Sequence, residues 1–183
     1  MGLAFRESGN PAGPPILLLH GFMGSAVDWN RIVADLDEFR CIAIDLPGHG
    51  DMTSRQLAGS WDIASTANAC LHVMEQLSVN KCSLVGYSMG GRLALYMAIN
   101  YPEMFNCAVL ESASPGLADA AERERRIKLD ETRASRIKNI GISEFLREWY
   151  RMPLFAETLT EKQITILRLK RQDNNPAALA RSL

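Results

Sequence analysis

The chain has 183 residues, is 47% hydrophobic and carries a net charge of −1, so it is long enough for one buried core, and its basic residues are interleaved with acidic ones rather than forming a nucleic-acid-binding stripe. No run of 18 apolar residues suits a membrane span, and the start Met1-Gly2-Leu3-Ala4-Phe5-Arg6 has neither a signal-peptide core nor the hydroxyl residue of a myristoylation site, so a cytoplasmic protein is expected. Cys41, Cys70, Cys82 and Cys107 lack C-x-x-C spacing and lie in apolar stretches, which predicts buried thiols in a reducing compartment and neither disulfides nor a metal site.

In chain order, strands are predicted over Leu3–Glu7, Ile16–Leu19, Arg40–Asp45, Leu84–Tyr87 and Cys107–Leu110, with helices near Val27–Leu36, Trp61–Leu77 and Met89–Asn100. Such alternation implies an α/β class with a mostly parallel sheet. After Ser114-Pro115-Gly116 only helices are predicted, near Leu117–Lys138, Ile142–Arg151, Thr160–Arg171 and Pro176–Leu183. Charge changes with the pattern: residues 1–120 hold 6 basic and 12 acidic residues, and residues 121–183 hold 14 and 9. The expected organisation is a core over residues 1–115 and a helical cap over 116–183. Most cap arginines, such as Arg123, Arg133 and Arg136, are expected on a solvated helix face.

Three segments carry chemistry. Gly86-Tyr87-Ser88-Met89-Gly90 sits between an apolar strand and a helix in which Leu93, Ala94, Met97 and Ala98 share a face. A serine on so sharp a strand-to-helix turn needs glycine two residues before and after it, because a Cβ there would collide. Upstream, Ile16 to Leu19 runs into His20-Gly21-Phe22, the place where such a fold donates one oxyanion amide; the amide of Met89 supplies the other. Cys41 to Asp45 then leads into the loop Leu46-Pro47-Gly48-His49-Gly50. In this order the three resemble an α/β-hydrolase, with Ser88 as nucleophile and Phe22 and Met89 acting through their backbones.

A narrower resemblance rests on Asp45 to Gly50, Gly86 to Arg92, Glu111 to Leu117 with Glu122 to Arg126, Glu148-Trp149-Tyr150, Pro153-Leu154-Phe155 and Lys170 to Asn175. These resemble the 2-succinyl-6-hydroxy-2,4-cyclohexadiene-1-carboxylate synthases of menaquinone biosynthesis. The resemblance implies elimination of pyruvate from a tricarboxylate by a Ser-His-Asp triad, with no cofactor and no metal. Planar arginine forks pair bidentately with carboxylates, and Arg92 lies one turn into the helix that follows Ser88. By resemblance Arg126 and Arg171 join it as a substrate clamp, and Tyr87, Trp149 and Tyr150 line the pocket. A small polycarboxylate is the expected partner.

One departure stands out. His20, His49 and His72 all precede Ser88, whereas this fold orders its triad Ser, Asp or Glu, His. His20 and His49 read as structural hydrogen-bonders, and Glu111 has no histidine to orient. The expectation is a chain truncated before the last strands and inactive alone, with Ala108-Val109-Leu110 left as an apolar edge open to self-association. Two other functions share these residues: a serine carboxylester or carbon–carbon bond hydrolase, which would not need the three arginines, and a non-catalytic anion-binding pseudoenzyme.

Overall fold

The apolar runs of the first half pair into one five-stranded sheet of order β1-β3-β2-β4-β5. In the computed structural model, which describes residues 2–50 and 59–183, β1 is Phe5–Gly9, β2 Pro15–Leu19, β3 Arg40–Ile44, β4 Cys82–Tyr87 and β5 Phe105–Glu111. All neighbours are parallel except β1 and β3. Because strand side chains alternate, β2 and β3 feed both faces. Leu17, Leu19, Ile42 and Ile44 join one core cluster with α2 (Ile63–Gln76) and α3 (Met89–Asn100), while Ile16, Leu18, Cys41 and Ala43 pack with Ala26 and Trp29 on the other. Near-continuous apolar strands are what burial on both faces requires.

The helices follow their sequence signals. Asp62 caps α2 by accepting the Ser65 N–H at 2.7 Å, and Ala67, Cys70, Val73 and Met74 point inward. In α3 the expected face holds: Leu93, Ala94 and Met97 are buried. The helix expected over residues 27–36 is instead a 3-10 turn, Ala26–Trp29, followed by the single turn α1, Asn30–Val33. It starts where Ala26 N–H is held by Asp45 Oδ1 at 2.6 Å, a tertiary contact that local propensity cannot anticipate.

Burial pushes the Cys70 and Cys82 thiols up to about 12 and raises Cys41, so these three are inert. Cys107 corrects the expectation, since it is exposed on β5. That strand is the last of the sheet, and only Phe105 in it is buried. Val109 and Leu110 stand 54% and 38% exposed, as an uncovered edge implies.

Residues 117–183 form a second unit, divided from the first after Gly116. Asp119 caps α4, Ala120–Trp149, which the sequence reads as two helices. The two readings meet at Gly141, where φ 74° and ψ 169° interrupt the helix. Across that kink Arg136 grips Glu148 with two nitrogens, Nε lying 3.0 Å from Oε2. Ile137, Phe145, Leu146 and Leu179 form the unit's buried side, with α7 (Pro176–Arg181) packed on α4. The turn α5, Pro153–Ala156, was not expected; Pro153 begins it at a position where a missing N–H costs nothing. Between α5 and α7 lies α6, Glu161–Arg171, opened by a capping box at Thr160.

Two outcomes follow from the kink. A Cβ on Gly141 meets nothing within 4 Å, so Gly141→Ala pays only for a backbone region that glycine alone favours. Its urea midpoint should fall by the equivalent of about 1 to 3 kcal/mol. The Arg136 hydrogen bond holds the Glu148 carboxyl below its ordinary value, so its contribution is complete above the unfolded value of about 4.3 and is lost as pH falls through the lower folded one. The midpoint gap between the wild type and Glu148→Gln should therefore close on acidification below about pH 4, and shrink in 1 M salt, about a 3 Å screening length.

Candidate active site

Ser88 joins β4 to α3 in a conformation that L-residues avoid, φ 53° and ψ −111°. Its N–H donates to Glu111 O at 2.8 Å, and its carbonyl accepts the Arg92 N–H at 3.1 Å, so the strained peptide is pinned from both sides. The glycines permit this seat. A Cβ on Gly86 would stand 2.4 Å from Gly90 O, and one on Gly90 would stand 2.2 Å from Leu19 O and 2.5 Å from His20 O. The turn therefore rests directly on the end of β2. Serine preceding a helix ordinarily caps it through its hydroxyl, yet Ser88 makes no such bond. Its hydroxyl has no hydrogen-bond partner among the described residues and is uncommitted.

The loop after β2 comes alongside. A Cβ on Gly21 would meet the Tyr87 ring at 2.8 Å and Ser88 Cβ at 3.4 Å, so the residue before Phe22 lies against the serine. His20 locks this loop: its Nε2 accepts the Leu46 N–H at 3.0 Å, which leaves Nδ1–H to donate to Gly21 O at 2.8 Å. That pairing requires a neutral ring and one tautomer. His49 is buried with Nδ1 at 2.9 Å from Pro47 O, and its ring meets those of His20 at 5.1 Å and Phe22 at 5.7 Å. Both histidines thus bond the loops, as their sequence positions suggest. His72 is on the surface of α2 with Glu75 and Gln76. Met89 N–H is among the first-turn amides of α3, which have no intrahelical acceptor.

Tyr87 is 40% exposed beside this seat, and Arg92 is exposed one turn into α3. Glu111 ends β5 opposite Tyr87, its carboxylate accepting the Ser112 hydroxyl at 2.7 Å. The other expected residues lie in the second unit. Arg126 donates through Nε to Asp130 Oδ2 at 2.5 Å. Arg171 donates through Nη1 to the Tyr150 hydroxyl, with its guanidinium carbon 5.8 Å from that ring's centre. Tyr150 is buried, Trp149 is half-buried, and Phe155 contacts both rings at 5.3 and 5.9 Å. Arg133 is a correction. Instead of pointing into solvent it binds Asp130 Oδ1 at 3.1 Å and lies 5.4 Å over the Trp149 ring. Asp130 escapes a reading by motif, and its signal was the helical spacing Arg126–Asp130–Arg133; Phe155 lies in the motif Pro153-Leu154-Phe155, which gives it no role.

A buried strand, a forced serine turn on glycine and a neighbouring loop stitched by His20 also define a known fold. Residues 14–156 match the family model of the alpha/beta hydrolase fold. The chain belongs to the α/β-hydrolase family. Among its relatives, a Serratia proteamaculans 2-succinyl-6-hydroxy-2,4-cyclohexadiene-1-carboxylate synthase is 34% identical over 95% of this chain and 67% of its own. A Bacillus subtilis relative, provisionally assigned to the same synthase, is 36% identical over 98% and 66%. The structure of MenH from S. aureus superposes with a TM-score of 0.87 at 29% identity, covering all of this chain and 69% of that one. This α/β-hydrolase chain thus spans about two thirds of the length of the proteins it matches.

The seat of the hydrolase serine gives a direct test. In Gly90→Ala the new Cβ faces two backbone carbonyls that cannot rotate away, so the urea midpoint should drop by the equivalent of about 3 kcal/mol, the upper end of ordinary overpacking. Gly116→Ala, where a Cβ meets nothing within 4 Å, should cost less despite its positive φ.

Proposed function

We propose that this α/β-hydrolase eliminates pyruvate from 2-succinyl-5-enolpyruvyl-6-hydroxy-3-cyclohexene-1-carboxylate to give 2-succinyl-6-hydroxy-2,4-cyclohexadiene-1-carboxylate, a step of menaquinone biosynthesis. The observation that carries this reading is the uncommitted Ser88 hydroxyl on its forced turn with Arg92 one helical turn away. The names of the relatives support it.

In this reading Ser88 Oγ, its own proton given to a base, takes a ring proton as the new double bond forms and the carbon–oxygen bond to the enolpyruvyl group breaks; that group leaves as the enolate of pyruvate, which is protonated on carbon to pyruvate. Phe22 and Met89 amides hold the oxygen that gains charge; fixed donors of this kind are worth about 3 to 4 kcal/mol each when removed. Arg92, Arg126 and Arg171 take the substrate carboxylates, and Tyr87, Trp149 and Tyr150 shape the pocket. A serine hydroxyl must in turn pass its proton to a base. His20 has both ring nitrogens committed, His49 bonds its own loop, and His72 pairs on the surface of α2. The 183-residue chain by itself is therefore expected to bind anions and to turn over little or nothing. The same observation favours the second reading, an anion-binding chain without catalysis.

Titration with the cyclohexadiene product and a pyruvate-release assay test the proposal. Ser88→Ala should abolish the release and leave product affinity within about twofold, because an uncommitted hydroxyl contributes little ground-state binding. Arg92→Ala should weaken product binding roughly ten- to a hundredfold, the usual value of a charged hydrogen-bond pair. Product affinity indifferent to Arg92, together with cleavage of simple esters, would assign the serine to a hydrolase instead.

A further inference from the structure

We infer that Asp130 is a positioning residue for a carboxylate-binding fork at Arg126, a role that rests on the clamp proposed above for Arg126. The geometry is specific. Asp130 takes Arg126 by Nε through one oxygen and Arg133 by Nη1 through the other, at 2.5 and 3.1 Å. A grip at Nε holds a guanidinium from its side. The end-on edge of Arg126, Nη1 and Nη2, has no partner among the described residues, and that edge matches a ligand carboxylate bidentately. Asp130 is itself largely shielded, at 15% side-chain exposure against 38% for Arg126.

Three features make this more than a surface ion pair. Two cations share one carboxylate, so the group keeps a net positive charge for an anionic ligand. The arginine stem is flexible, and a fixed Nε removes much of the rotamer freedom that binding would otherwise have to freeze. The second oxygen couples the fork to the aromatic cluster: Arg133 lies in the helical segment before the Gly141 kink and covers Trp149 beyond it. Asp130 thus sets Arg126 and the face of Trp149 together. The ligand class is a dicarboxylate or tricarboxylate with one end free to enter the fork.

A double-mutant cycle on the 183-residue chain decides the point, with succinate and the cyclohexadiene product as separate probes followed by NMR titration. Asp130→Asn should weaken both probes about tenfold in the wild-type background and have no further effect in Arg126→Ala, because it acts through that arginine. Asp130→Glu should recover part of the loss, and provides the second variant if the asparagine form folds poorly by its urea midpoint. Unchanged or tighter binding in Asp130→Asn, or a loss that persists in Arg126→Ala, overturns the inference. Succinate binding with the expected cycle but no product binding overturns the proposed substrate and leaves the positioning role standing. If neither probe binds the wild type, both readings fall.

Discussion

The contact between the Gly90 backbone and the carbonyls of Leu19 and His20 is the constraint on which the site depends. It brings the start of α3 onto the end of β2 more closely than any side chain would allow. The Ser88 N–H bond to Glu111 O then ties the same turn to β5 on the other side. Ends of three parallel strands meet at one residue, and the sheet holds in place a backbone conformation that costs on the order of 1 to 3 kcal/mol. Held this way, the serine does not cap its own helix, and its hydroxyl stays uncommitted among the described residues.

The neighbouring loop is fixed by polar groups with few alternatives. His20 bonds both Leu46 and Gly21, and Asp45 takes the Ala26 amide. These groups are buried, where an unmade hydrogen bond costs about 1 to 3 kcal/mol, so their geometry is tightly specified. The same commitment removes His20 as a base. Stability of the loop and availability of a histidine compete for the same two nitrogen atoms, and here the loop prevails.

The helical unit solves a different problem, that of holding arginines close together without mutual repulsion. Asp130 lies between Arg126 and Arg133, and the Tyr150 hydroxyl and ring take Arg171. Trp149, Tyr150 and Phe155 form one aromatic cluster, so Arg133 over Trp149 and Arg171 over Tyr150 are ordered against rigid flat surfaces. Gly141 permits the bend that lets Arg133 reach Trp149 and Arg136 reach Glu148 from across the kink. In the sheet unit, by contrast, the β5 edge stands open among the described residues, with Val109, Leu110 and the Cys107 thiol exposed.

Local pattern was sufficient for the strands, for α2 and α3, and for the serine turn, because period-two and helical apolar spacing and glycine sterics act over a few residues. Met89–Asn100 emerged with the predicted ends, and Gly86 and Gly90 showed why they are glycines. It also showed that every histidine precedes Ser88. What local pattern could not decide was set by contacts distant in sequence. Asp45, distant in sequence, holds the amide at which a 3-10 turn stands in place of a predicted helix, position at the sheet edge exposed Cys107, and Arg133, before the kink at Gly141, partners Trp149 beyond it instead of solvent. Sequence alone thus determined which residues could do chemistry, since that follows from residue type and short spacing. Tertiary structure decided which of them are uncommitted, since a hydrogen bond or ion pair depends on neighbours that only folding brings within reach.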